Sequence, residues 1–215
     1  MQVLALSIGQ HIAAEFNQTT SLEWIGAITG IACVYLAAIQ NIWNWPVAII
    51  SVVAYTIVFY KSMLYGDAGL QVYFLGTSIY GWYFWLKKNE RHEKPVTSLN
   101  AKEYVLVIIV TVILSLLLGL FLKKFTPTNV PYIDGFCTAV SFTAQILMTR
   151  KVLQNWALWI LVDICYVPLY IYKNLYVTAL LYIILLVLAW LGHLDWKRAY
   201  KKELGPAVGV QISDF

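Results

Sequence analysis

Polar residues interrupt this chain at only a few places, and the stretches between them are long and apolar. Seven such stretches can be traced, at 22–40, 45–64, 67–87, 104–122, 132–150, 154–173 and 174–195. A helix of about 20 apolar residues crosses the roughly 30 Å hydrocarbon core of a bilayer. The pattern therefore predicts an all-α, polytopic membrane protein with seven transmembrane helices. The breaks carry turn chemistry. Tyr65-Gly66-Asp67 reads as a turn followed by a helix N-cap, and Pro127, Pro131 and Asp134-Gly135 punctuate the fourth connection. A tight turn near Lys173-Asn174 separates the last two spans. Residues 1–21 have no basic start of the signal-peptide kind, and their apolar positions fit a short interfacial helix.

The chain also repeats itself. Shifted by 111 residues, 44–85 aligns with 155–196 without a gap. Identical pairs include Asn44/Asn155, Trp45/Trp156, Tyr55/Tyr166, Tyr65/Tyr176, Gly81/Gly192 and Trp85/Trp196. Shared Leu and Ile could come from composition alone, but paired Asn, Trp, Tyr and Gly at one offset do not. The expected organisation is an N-terminal interfacial segment (1–21) and a first three-helix repeat (22–87). A basic loop, connector helix (about 104–122) and external loop follow (88–131), then a second three-helix repeat (132–196) and a tail (197–215). A single connector lets both triplets enter the bilayer in the same sense, a 3+1+3 arrangement with parallel internal repeats. Transporters built this way place substrate near the midplane, between the repeats.

Composition and charge sharpen the picture. Of 215 residues, 60% are hydrophobic and 12% charged, about half the charge of a soluble domain, and the mean hydropathy is +0.69. The basic residues are unevenly spread. Lys87, Lys88, Arg91, Lys94, Lys102, Arg150, Lys151, Lys197, Arg198, Lys201 and Lys202 fall on one side of the predicted topology. Lys61, Lys123, Lys124 and Lys173 fall on the other. The positive-inside rule then puts the N-terminus outside and the C-terminus in the cytoplasm. The net charge of +4 belongs to these loops and points to no nucleic acid. Cys33, Cys137 and Cys165 sit in apolar runs at spacings of no zinc pattern. His11, His92 and His193 form no metal motif, and no phosphate-binding loop or nucleophile elbow occurs. No metal and no cofactor is expected, and no enzyme.

One residue breaks the apolar pattern. Asp163 lies about nine residues inside its span, roughly 14 Å from the end of the helix. A carboxylate at that depth costs several kcal/mol unless it faces a polar cavity or a partner, so it marks a site or pathway. Protonated and bonded to a neighbouring helix, it would instead be structural. Trp156, Trp159, Asp163, Tyr166 and Tyr170 share one helical face. Trp156, near the helix end, reads as an interfacial belt residue, as does most of the Tyr80-Gly81-Trp82-Tyr83 and Trp85 cluster. Within that cluster the stripe of Gln71, Ser78 and Trp82 continues inward. Gln145 on the fifth span and Tyr182 on the seventh complete the polar candidates. A carboxylate flanked by aromatic faces suits a small aromatic cation.

The stretches QNIWNWPVAI, GLQVYFLGTSIYGWYFW and AQILMTRKVLQNWALWILVDICYVPLYIYKNLYVTALLY resemble the PnuC family of bacterial vitamin transporters, over residues 22–200. The resemblance implies a SWEET-like fold, a homotrimer in the bacterial inner membrane, and facilitated diffusion of a nucleoside-like vitamin that a cytosolic kinase then traps by phosphorylation. It implies nicotinamide riboside as substrate, with thiamine or riboflavin as relatives' alternatives. It also carries substrate-binding roles onto Trp45, Gln71, Gln145, Trp159, Asp163 and Tyr166. Two other readings compete with it: a proton-coupled carrier using Asp163 as relay, and a membrane-embedded enzyme or sensor.

Overall fold

A computed structural model describes residues 9, 13, 16–61, 65–87, 95–126, 128, 130–172 and 176–209, with side chains omitted at 59, 65–69 and 204–209. Seven helices of 18 residues or more follow one another among these. They are α1 (Ser21–Ala38), α2 (Asn44–Lys61), α3 (Tyr65–Leu86), α4 (Ala101–Phe125), α5 (Pro131–Thr149), α6 (Asn155–Tyr172) and α7 (Tyr176–Gly209). Four of them, α1, α4, α6 and α7, have the length and composition to cross a membrane. The start of α1 is set by a capping box. The Glu23 backbone N–H donates to Thr20 Oγ1 at 3.3 Å, and the Thr20 N–H donates to the Glu23 carboxylate at 2.6 Å. Asn100 and Glu103 do the same at α4, both at 2.9 Å. Each box satisfies two donors that a helix start leaves without partners.

Several expected breaks move. Asp67 lies inside the first turn of α3, which begins at Tyr65. Asp134-Gly135 does not interrupt the chain either. Pro131 opens α5, Asp134 sits in its first turn accepting from the Thr128 hydroxyl at 2.7 Å, and Gly135 packs against α4. A Cβ at Gly135 would stand 2.5 Å from the Gly119 backbone nitrogen, so close helix approach needs glycine there. The largest departure is at the end. Helix α7 runs to Gly209, past the expected boundary at 196, because Trp196, Ala199 and Tyr200 continue its packed face onto the buried core. The turn near Lys173-Asn174, Pro127 and most of the N-terminal segment lie outside the described residues; Phe16–Gln18 are helical, with Phe16 stacked at 4.9 Å on Trp24.

Helix neighbours define a closed figure. Contacts run α1 to α2, α2 to α3, α3 to α5, α5 to α6, α6 to α7, and α7 back to α1. Six helices thus form a ring. Among the described residues helix α4 packs on α5 alone, joined by a Thr111–Thr143 hydroxyl hydrogen bond of 2.9 Å, and otherwise exposes Leu, Ile and Val along its length. An apolar surface of that extent suits contact with lipid or with another apolar helix.

The buried core lies at the end of the ring where α2 and α6 begin, the basic end. Trp45, Trp85, Trp156 and Trp196 are its large members. The repeat is written here in three dimensions. Trp45 meets Trp85 edge-on at 5.3 Å and 89°, and Trp156 meets Trp196 at 5.6 Å and 87°. The indole of Trp45 lies on Gly81 and that of Trp156 on Gly192. The Asn44 side chain donates to Asn41 O and that of Asn155 to Val152 O, each at 2.7 Å. Across the ring, Trp85 Nε1 donates to Thr149 O at 3.2 Å and Trp196 Nε1 to Ala37 O at 3.0 Å. Each repeat therefore reaches into the other through equivalent tryptophans.

A Cβ at Gly192 would come within 2.6 Å of the Trp156 ring, and one at Gly81 would collide with Trp45. Gly81→Ala and Gly192→Ala are each expected to destabilise the protein by about 1–3 kcal/mol through overpacking. Thermal unfolding in detergent measures this; unchanged Tm in both variants would contradict the glycine–indole packing.

Candidate functional site

Helix α6 carries the acid and most of its surroundings. Asn155 starts it, and Asp163 follows eight residues on, about 12 Å along the axis. Asp163 faces inward with only 4% of its surface exposed, while Leu161, Ile164 and Ile171 on the same helix face out. Among the described residues its carboxylate forms no ion pair and no hydrogen bond. The bonded, structural alternative thus finds no support there. A buried carboxylate is costly in hydrocarbon, and that cost is sustained where a polar or cationic group comes to meet it.

Beyond Asp163, away from the basic end, three tyrosines pack on one another. Tyr166 stacks on Tyr170 with ring centroids 5.4 Å apart, and Tyr182 of α7 stands 5.1 Å from Tyr166 and 5.0 Å from Tyr170. The Tyr182 and Tyr170 hydroxyls are hydrogen-bonding partners, and Tyr182 lies within Coulomb range of Asp163. On the other side of Asp163, toward the basic end, Trp159 is partly buried against the tryptophan core. Acid and aromatic faces are thus stacked along the inner face of α6, an arrangement that can hold a flat cation between rings.

The remaining candidates divide. Gln71 on α3 and Gln145 on α5 are partly buried, and neither amide takes a hydrogen bond among the described residues. Ser78 on α3 is 1% exposed and turns inward. Trp45 is 2% exposed, enclosed by Trp85 and Gly81 in the basic-end core. Trp82 does not continue inward as expected: it is 36% exposed and lines an outer groove with Ile42, Trp43, Pro46 and Leu86. Its neighbour Trp85 is the member of that cluster that turns in. The belt expectation for Trp156 is also corrected, since that ring is 1% exposed and buried in the core. Tyr170 lay on the predicted stripe of α6 without being a candidate, and its packing on Tyr166 and Tyr182 adds it to the site. The i+14 spacing from Trp156 was the signal for it.

Comparison with known proteins gives the family. The family model described as "Nicotinamide mononucleotide transporter" matches residues 20–198. The chain belongs to this family. It is a multi-pass membrane transporter and not an enzyme. It is 28% identical over 201 residues to the nicotinamide riboside transporter PnuC of Escherichia coli K12, covering 81% of this chain and 84% of that one. It is 23% identical over 190 residues to the riboflavin/roseoflavin transporter RibM of Streptomyces davaonensis, covering 86% and 89%. Among solved structures it resembles the crystal structure of the vitamin B3 transporter PnuC, with a TM-score of 0.70 and 26% identity over 93% of this chain and 90% of that chain.

The placements separate stability from binding. Trp156→Ala is expected to cost about 3–5 kcal/mol of stability, a drop in Tm on the order of 10 °C, because it empties a closed core. Trp82→Ala is expected to leave Tm within about 2 °C. Equal thermal shifts in detergent would reverse the assignment of inside and outside on α3 and α6.

Proposed function

We propose that this transporter carries nicotinamide riboside across the bacterial inner membrane by facilitated diffusion. The observation that carries the reading is Asp163, buried without an ion pair or hydrogen bond among the described residues, beside the Tyr166, Tyr170 and Tyr182 rings. A pyridinium ring offers the positive charge and the flat face that such a site lacks in an apolar helix bundle. The relatives named nicotinamide riboside transporter PnuC support the same substrate. Trp159, Tyr166 and Tyr182 sandwich the base, Asp163 offsets its charge, and Gln71, Gln145 and Ser78 hydrogen-bond the amide or ribose. Trp45 acts at the edge of the path by holding α2 against α3, and Trp82, on the outer groove, takes no part in it.

The topology that goes with this is seven spans in a 3+1+3 plan. Residues 22–87 and 132–196 are the two repeats, α4 is the connector, the N-terminus is outside and the basic end is cytoplasmic. The six-helix ring with α4 outside it, and the clustering of Lys87, Lys151 and Lys197–Lys202 near one end, support that plan. Rocking of the two triplets opens the path to each side in turn. A cytosolic kinase would trap the product by phosphorylation, and the exposed face of α4 suits assembly into a homotrimer. Riboflavin is the second reading, favoured by the relative named as a riboflavin/roseoflavin transporter; thiamine is a third cargo of similar chemistry.

Uptake of labelled nicotinamide riboside into proteoliposomes, competed with unlabelled thiamine and riboflavin, tests the cargo. Nicotinamide riboside is expected to compete best, and competition by riboflavin alone would replace it. Asp163→Asn is expected to weaken binding of the cation by about 1–2 kcal/mol, roughly tenfold in Kd, with expression intact. Unchanged affinity would make Asp163 structural. Uptake that follows an imposed pH gradient would favour the proton-coupled alternative.

A further inference from the structure

The basic end of the ring contains one feature that substrate binding does not use. Helices α1 and α5 both stop in the same way. Gln40 N–H donates to Ala37 O at 3.0 Å and Asn41 N–H to Leu36 O at 2.8 Å; Lys151 N–H donates to Met148 O at 3.0 Å and Val152 N–H to Leu147 O at 3.0 Å. This is the Schellman termination, whose left-handed residue is usually glycine. Here the left-handed residues are Gln40, with φ 57°, and Lys151, with φ 56°. A side chain at that φ stores backbone strain, and such strain collects at switch regions. The two positions are 111 residues apart, so they are equivalents in the repeat, and their side chains meet: Lys151 Nζ lies 3.5 Å from Gln40 Oε1.

Lys151 is 4% exposed, an unusual place for an ammonium. Its charge is met by groups from both repeats. The Trp85 ring of α3 lies beneath it, with Nζ 4.6 Å from the centroid. Glu203, on the C-terminal extension of α7, lies within Coulomb range and faces the Val96 backbone N–H. The turn itself is anchored by the segment before α4. Thr97 N–H donates to Lys151 O at 2.9 Å, and Leu153 N–H to Thr97 O at 2.8 Å. Around it, the Trp85 and Trp196 rings approach within 6.1 Å where the repeats meet.

We infer that Lys151 is the latch of the basic-end gate: its buried ammonium, held by Gln40 and Trp85 of the first repeat, keeps the two triplets together at that end. Two separately strained turns meeting through one charged contact make an element with two stable arrangements. Separation of the triplets frees Lys151 to be hydrated, so an open gate is not a high-energy state. The inference rests on the rocking motion proposed above and leaves the identity of the cargo open.

The test is hydrogen exchange of the full-length protein in nanodiscs, run beside proteoliposome uptake. Lys151→Gly removes the side chain at a position whose backbone glycine adopts readily, so the turn itself is not penalised. Exchange in segments 36–45 and 147–156 is expected to rise about tenfold, while 68–75 and 176–183 at the opposite end become more protected. That opposed response is the signature of a latch. Loosening at the basic end with no gain at the other would reduce Lys151 to a staple and overturn the inference, as would unchanged exchange. The exchanged pair Gln40→Lys with Lys151→Gln decides the matter if Lys151→Gly fails to fold. It keeps one amide and one ammonium in contact and sets the cation near Trp196, the equivalent of Trp85. Protection is expected to return to within about threefold of the parent, whereas Gln40→Lys alone, with two ammonium groups together, opens the end; a pair no better than Gln40→Lys alone overturns the latch. Failure of nicotinamide riboside uptake by the parent protein, with the exchange response intact, would strike the cargo and spare the latch.

Discussion

Everything in this molecule hangs on the way two copies of one helix triplet clasp each other at the basic end. The clasp is reciprocal. A tryptophan near the end of α3 donates to the last turn of α5, and its equivalent on α7 donates to the last turn of α1. In hydrocarbon there is no hydrophobic gain from helix association, so packing and hydrogen bonding must hold helices together. Indole rings seated on glycine backbones supply the first, and indole N–H groups on helix-terminal carbonyls supply the second. The Trp85 bond gives the last carbonyl of α5, Thr149 O, a partner, while Ala37 O accepts from Trp196 in addition to the Gln40 N–H.

The frame is symmetric and the centre is not. At the basic end, equivalent positions carry the same residues: Asn44 and Asn155, Trp45 and Trp156, Gly81 and Gly192, Trp85 and Trp196. Further along the same helices the equivalents part. Val52 faces Asp163 in the register of the repeat, Gln71 matches Tyr182, and Ser78 matches Ala189. Val52, Asp163, Ser78 and Ala189 are all buried, so the difference is one of chemistry and not of place. A duplicated scaffold gives a two-fold ring, but its buried middle is not two-fold. Divergence of the buried middle puts the carboxylate and the packed tyrosines in one half of the ring, and Gln71 and Ser78 in the other.

The contacts between the repeats fall at two levels. At the basic end the tryptophan core, a buried lysine and two left-handed helix stops coincide. Further along α3, the Tyr73 hydroxyl donates to Phe142 O of α5 at 3.1 Å. Helix α4 stands outside the ring on α5, through a close glycine contact and a pair of threonines, and takes no part in the clasp.

The sequence by itself determined the class of the protein, the approximate limits of its long helices, the internal repeat and the exceptional place of Asp163 inside an apolar run. These follow from properties local to the chain, which are the length of apolar runs, the offset at which rare residues recur, and the cost of a charge in hydrocarbon. Only the tertiary structure decided which tryptophans face inward. Trp82 and Trp85 are both aromatic residues at one end of α3, and sequence spacing put Trp82 on the inner stripe; the approach of α5 and α7 buries Trp85 instead. Trp156 read as a belt residue because its depth matched the interface, yet Gly192 on α7 opens a seat for its ring. The end of α7 could not be read either, since nothing in KRAYKKE is apolar enough to mark a helix without the core it packs against. Helical periodicity says which residues share a face. Which face turns inward is a property of the neighbours, and those are fixed only when the ring closes.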